Sequence, residues 1–165
     1  MKNIVLCGMM GCGKTTCAHL LGTQLGRPVV DTDDMVVEMA GMSISDLFAQ
    51  KGEAAMRDLE TEAARQLSTR QDLIIATGGG LPLRSENRQL LRRTGIVVFL
   101  RRDPARSMTQ PTCLVDPWGS RAGTHFFPDS PSVSLSIGNF PTLSFRISPA
   151  GATVAEILTK LEGQL

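Results

Sequence analysis

Tyrosine is absent from this sequence, tryptophan occurs once, and aromatic residues make up only 4% of it. A surface that stacks successive bases of a single strand needs more rings than that. An excess of charge is also missing: Lys+Arg 17 against Asp+Glu 16 leaves a formal net charge of +1. Neither nucleic acid nor an anionic membrane is therefore an expected partner. No apolar run approaches the ~20 residues of a membrane span, and the one at residues 4–7 is too short for the core of an export signal. The four cysteines, Cys7, Cys12, Cys17 and Cys113, form no C-x-x-C pair, which argues against a zinc site or a dithiol redox motif. Cys7 and Cys17 read as small core residues. Unpaired thiols without an export signal point to the cytoplasm.

What is present suits one compact domain spanning residues 1–165, with enough apolar residues (42%) to bury a core. Short apolar runs alternate with helical patterns. Strands are expected at 4–7, at 29–30 ending on Asp31, at 73–76 and at 96–100. Helices are expected at 15–25, closed by Gly26 and Pro28, at 33–40, closed by Gly41, at 43–51, at 53–67, at 85–93 and at 152–161. Continuous apolar strands separated by helices imply an α/β fold: a parallel sheet covered on both faces. From about 107 to 145 the helical patterns vanish, Ser, Pro, Thr and Gly dominate, and acids shrink to Asp116 and Asp129.

The segment from Gly8 to Thr15 fits G-x-x-x-x-G-K-[ST] between a strand and a helix. Glycines let the backbone curl its N–H groups toward phosphates, and the helix that starts near Lys14 adds a positive dipole end. Gly11, Cys12, Gly13, Lys14, Thr15 and Thr16 are thus the expected nucleotide-binding residues, with Lys14 on the β/γ-phosphates and the Thr15 hydroxyl on Mg²⁺. After the second strand, Asp31, Asp33 and Asp34 lie at the strand edge that faces ligands in such sheets. Asp31 suits the metal side and Asp33 suits a general base toward an accepting hydroxyl; the alternative is that all three acids cap the next helix. Arg57 can grip a carboxylate bidentately, or it can simply pair with Glu60 three residues on. Gly78, Gly79 and Gly80 follow a strand end and permit close approach of a ligand, or merely a tight turn.

Together these pieces resemble the shikimate kinase family: the phosphate loop, then Asp31-Thr32-Asp33, then Gly52-Glu53 with Met56-Arg57 and Glu60, then Ala76-Thr77-Gly78-Gly79-Gly80, agreeing in order and spacing through about residue 104. Met56 stands where the family usually has Phe. The resemblance implies a three-layer P-loop kinase fold and transfer of the γ-phosphoryl group of ATP to the 3-hydroxyl of shikimate, in aromatic amino-acid biosynthesis. It implies that Asp33, Arg57 and Gly79 contact shikimate, with Gly78 and Gly80 beside them. It further implies that Thr15 and Asp31 support Mg²⁺, that Lys14 stabilises the transferring group, and that the chain is a monomer. Gluconate-type kinases share the phosphate loop but fit D-T-D and T-G-G-G less well.

The resemblance stops after about Arg106. The family has a lid with an R-P-L core and then an R-E-x-L-Y-R segment, and this chain has neither; Arg121 and Arg146 lie outside any matching motif. Back-translation with free codon choice, read from the third base of each codon, lets 107–119 spell Y-D-T-T-D-M-S-G-R-P-L-G and 131–144 spell Q-R-E-P-L-Y-R-Q-L-S-D-F-V. Both missing segments emerge in order from one shifted frame. Residues 107–145 therefore read as out-of-frame translation, with the frame restored before Ala152. Such a chain can bind nucleotide, yet it lacks arginines whose loss costs on the order of 10³-fold in turnover.

Overall fold

The computed structural model describes residues 1–101, 143–146 and 150–162. Among the described residues, five strands, β1 (Asn3–Gly8), β2 (Val29–Asp31), β3 (Ile74–Ala76), β4 (Gly95–Arg101) and β5 (Leu143–Arg146), form one sheet in the order β2-β3-β1-β4-β5. Every pairing is parallel. The register sets Leu6 opposite Ala76, and Ala76 opposite Asp31, so β2 and β3 end level with one another while β1 runs two residues further to Gly8.

Alternation along the strands divides the core. Ile4, Leu6, Ile74, Ala76, Val98 and Leu100 face one way, against α1 (Lys14–Leu25) and α5 (Ala150–Leu161), through Cys17, Leu21, Val154 and Ile157. Val5, Cys7 and Ile75 face the other, against Ala64 and Leu67 of α3 (Ile44–Leu67) and Leu91 of α4 (Ser85–Thr94). This is why the central strands β1 and β3 read as unbroken apolar runs: they are buried on both faces, while β2 at the edge is half-buried. A third cluster, Val36, Leu47 and Met56, packs α2 (Thr32–Ala40) onto α3. Cys7 and Cys17 lie in these cores as expected, and burial pushes the Cys7 thiol up to about 11, which keeps it protonated.

The expected elements are present, with ends shifted by one or two residues. The two helices expected at 43–51 and 53–67 run on as α3, yet Gly52 between them has φ 78 and ψ 175, so the break is there as a kink. Two elements are additional. Leu81–Leu83 form one turn of 3₁₀ helix. Strand β5 occupies 143–146, so the end of the irregular stretch carries sheet structure where none was expected. Residues 107–142 lie outside the described residues.

Candidate active site

The phosphate loop leaves β1 at Gly8 and enters α1 at Lys14. Gly11 (φ 68) and Gly13 (φ 84) take left-handed conformations that turn the chain back on itself, which explains the glycines at these two places. The loop closes on a bond from Cys12 N–H to the Met9 carbonyl at 3.3 Å, with Cys12 buried beneath it. Lys14 Nζ donates to the carbonyls of Gly8 (3.0 Å) and Met9 (2.9 Å), which lays the ammonium along the loop. Thr15 and Thr16 stand exposed in the first turn of α1.

Asp31 ends β2 and caps α2. Its Oδ1 accepts the N–H of Asp33 at 3.0 Å, and its Oδ2 accepts the Thr15 hydroxyl at 3.1 Å. The two residues expected to support a metal are thus in contact, and the capping reading holds for Asp31. Asp34 lies in the first turn of α2, where it complements the dipole. Asp33 faces inward. Burial first, then the charges of Asp31 and Glu60, push its carboxyl up to about 6, with the Lys14 ammonium pulling the other way. A carboxylate tuned to that range can exchange a proton near neutral pH.

Arg57 is buried on α3. Glu60, 1% exposed, places both carboxylate oxygens on Nη1, at 2.8 and 3.1 Å. The exposed Glu53 places Oε1 on Nε (3.2 Å) and Nη2 (3.0 Å). Burial works to lower the Arg57 pKa, and the two glutamates outweigh it, so the group stays charged. The pairing with Glu60 is therefore real, and it holds Nη1 of the guanidinium on a buried carboxylate.

Gly78, Gly79 and Gly80 join these parts. A Cβ on Gly78 would run into the Asp33 carboxylate, one on Gly80 into the Arg57 guanidinium, and one on Gly79 would press on Met10 Cγ at 3.2 Å. Each glycine thus abuts a different member: the candidate base, the candidate carboxylate anchor and the phosphate loop. Thr32 fixes the approach by accepting the Gly78 N–H at 2.8 Å, and Thr77 donates through its N–H (3.0 Å) and hydroxyl (3.2 Å) to the Leu6 carbonyl. Met10, Thr32 and Thr77 were not anticipated. Thr32 had a signal, since a hydroxyl between two strand-edge acids sits at the ligand edge of the sheet; Met10 had none beyond its place in the loop.

The sequence model of the shikimate kinase family matches residues 10–111. Curated shikimate kinases from Symbiobacterium thermophilum and Thermodesulfovibrio yellowstonii are 49% and 43% identical over 102 and 101 residues, which are 62% and 61% of this chain and 59% and 58% of theirs. The aligned part thus spans less than two thirds of these relatives. Among solved structures, shikimate kinase from Aquifex aeolicus superposes with a TM-score of 0.77 at 27% identity, covering 98% of this chain and 97% of that one. Shikimate kinase from Acinetobacter baumannii, in complex with shikimate, gives 0.73 at 27% identity over 99% and 94% of the two chains. A gluconokinase from Sinorhizobium meliloti shares the fold at 18% identity and a TM-score of 0.55, over 98% and 91% of the two chains.

Proposed function

This chain belongs to the shikimate kinase family, and we propose that it transfers the γ-phosphoryl group of ATP to the 3-hydroxyl of shikimate. The observation that carries this reading is the glycine run at 78–80, which touches Asp33, the phosphate loop and Arg57 in successive residues. An acceptor lying on that run has a base at one end and a cation for its carboxylate at the other. Asp33 takes the hydroxyl proton as the oxygen attacks the γ-phosphorus and the bond to the β,γ-bridging oxygen breaks, releasing ADP. Arg57 holds the carboxylate, with Glu53 giving way on the Nε/Nη2 edge. Backbone N–H groups from Gly11 to Thr16 cradle the phosphates, and Lys14 leaves the Gly8 and Met9 carbonyls to neutralise the moving charge.

The Thr15 hydroxyl and Asp31 carboxylate, 3.1 Å apart, are hard oxygen donors and fit Mg²⁺. Among the described residues no group of three or more His, Cys, Asp or Glu is placed to hold a metal. An ion that arrives with the nucleotide needs only one or two protein oxygens. When bound it neutralises charge on the β- and γ-phosphates. We assign the chain to aromatic amino-acid biosynthesis, as a cytoplasmic monomer. Among the described residues no helix is long and apolar enough to cross a membrane.

A coupled assay for ADP release, run with shikimate and with gluconate as acceptor, tests the reading. ADP release that depends on shikimate is expected; release with gluconate alone overturns it.

A second reading, favoured by the family match ending at residue 111, has the chain bind ATP with impaired turnover because 107–145 are out of frame. Resequencing the gene decides its premise: a pair of compensating insertions or deletions is expected, and an unbroken frame through 107–144 refutes it. Restoring the frame is then expected to raise turnover by about 10³-fold.

A further inference from the structure

Arg84 occupies the N-cap position of α4, where a short polar side chain ordinarily bonds a free helix N–H. It makes no cap bond. Its Nη1 instead reaches α3 and donates to the Arg57 carbonyl (3.1 Å), Asp58 Oδ1 (2.8 Å) and Thr61 Oγ1 (3.1 Å). The Asp58 partner is 72% exposed, so that ion pair by itself contributes little. The contact with consequence is the Arg57 carbonyl, because the guanidinium of the same residue lies on Gly80.

The chain between Gly80 and Arg84 cannot easily give. Leu83 N–H bonds the Gly80 carbonyl at 3.0 Å. Asn87 Nδ2, fully buried, holds the Leu81 carbonyl at 3.0 Å, and Arg88 Nη1 holds those of Pro82 (2.7 Å) and Leu83 (2.9 Å). A stiff segment thus meets Arg57 at both ends, abutting its side chain at Gly80 and bonded to its backbone through Arg84.

We infer that Arg84 is a positioning residue, a strut that fixes the glycine run against α3 so that Gly80 and the Arg57 guanidinium keep one spacing for the acceptor's carboxylate. The part that concerns the acceptor rests on the shikimate reading above. The strut stands in place of a helix cap, so the two roles can be separated by substitution. Arg84→Ser supplies a cap while removing the strut. Arg84→Lys keeps a single nitrogen, which is all the three contacts use.

The test measures dissociation constants for shikimate and for ATP with Mg²⁺ by titration calorimetry, thermal stability, and amide hydrogen exchange at 78–83, in the wild type and both variants. Arg84→Ser is expected to keep its melting temperature and its ATP affinity, to weaken shikimate about tenfold, and to speed exchange at 78–83 about tenfold. Arg84→Lys recovers most of both losses. Equal weakening of both ligands, or unchanged exchange at 78–83, overturns the inference. A wild type that binds no shikimate overturns the functional reading instead, and the exchange rates then decide the strut on their own.

Discussion

Both carboxylate oxygens of Glu60 rest on one nitrogen of Arg57, at 2.8 and 3.1 Å from Nη1. This contact is buried on both sides, and breaking it leaves the guanidinium dependent on the exposed Glu53. Removing one partner of a buried pair costs about 3 kcal/mol. Glu60→Ala is therefore expected to lower stability by that amount in a denaturant titration, well beyond the effect of Glu53→Ala.

Glu53 occupies the Nε/Nη2 edge of Arg57, the edge that grips a carboxylate with two bonds. On the shikimate reading, the acceptor's carboxylate has to displace it. The pair is exposed on the Glu53 side, so the cost of displacement is roughly 0.2–1 kcal/mol. Glu53→Gln is expected to tighten shikimate binding about threefold at unchanged ATP affinity, read by calorimetry.

The Asp33 carboxyl titrates near 6 in the folded protein against an ordinary 3.8. The folded state holds that proton more tightly than the unfolded chain, so folding takes up a proton between those two values. Stability from this group consequently falls as pH rises from about 3.8 to about 6 and stays lowered above that. Asp33→Asn is expected to raise the melting temperature at pH 7 and to flatten that slope. For turnover the sign is opposite, because the base must be ionised: kcat/KM with shikimate is expected to drop tenfold per pH unit below about 6. A wild-type pH profile without that limb would remove Asp33 from the role of base.

The glycines at 78 and 80 offer a cleaner cut between the two substrates. A methyl group at either place meets the tip of a flexible side chain, Asp33 or Arg57, and not backbone. Gly78→Ala is thus expected to fold and to bind ATP normally while weakening shikimate more than tenfold; Gly80→Ala, which pushes on the Nη1 that Glu60 holds, is expected to do the same at some cost in stability. Loss of ATP binding in either variant would show that the glycine run serves the nucleotide instead.

Much of the fold could be read in the sequence because the central strands are buried on both faces and the elements are bounded by glycine, proline or a capping acid. Strand β5 escaped because L-S-F-R is four residues long, alternates instead of running apolar, and sits in a stretch rich in Ser, Pro and Thr. The phosphate loop was legible because its chemistry is local. The acceptor side was legible only as alternatives: nothing along the chain says that Arg57 and Gly80 touch, since their meeting depends on how α3 packs beside β3. Arg84 was hidden for the same reason. At a helix start an arginine resembles an ordinary surface residue until its three oxygens on α3 are seen.

Leu6, Ala76 and Asp31 lie abreast across three strands; the glycine run and the strand-edge acids spring from that line, and the phosphate loop from two residues beyond it. On the shikimate reading, the gap between ATP and the acceptor is accordingly ruled by ladder spacing, in steps of about 3.3 Å per residue. A single-residue slip of β3 would both overshoot that gap and turn Thr77 to the opposite face. Tolerance for acceptors of other lengths is thus gated by the sheet itself, so engineering toward a longer or shorter alcohol has to begin with the length of the link between α3 and β3.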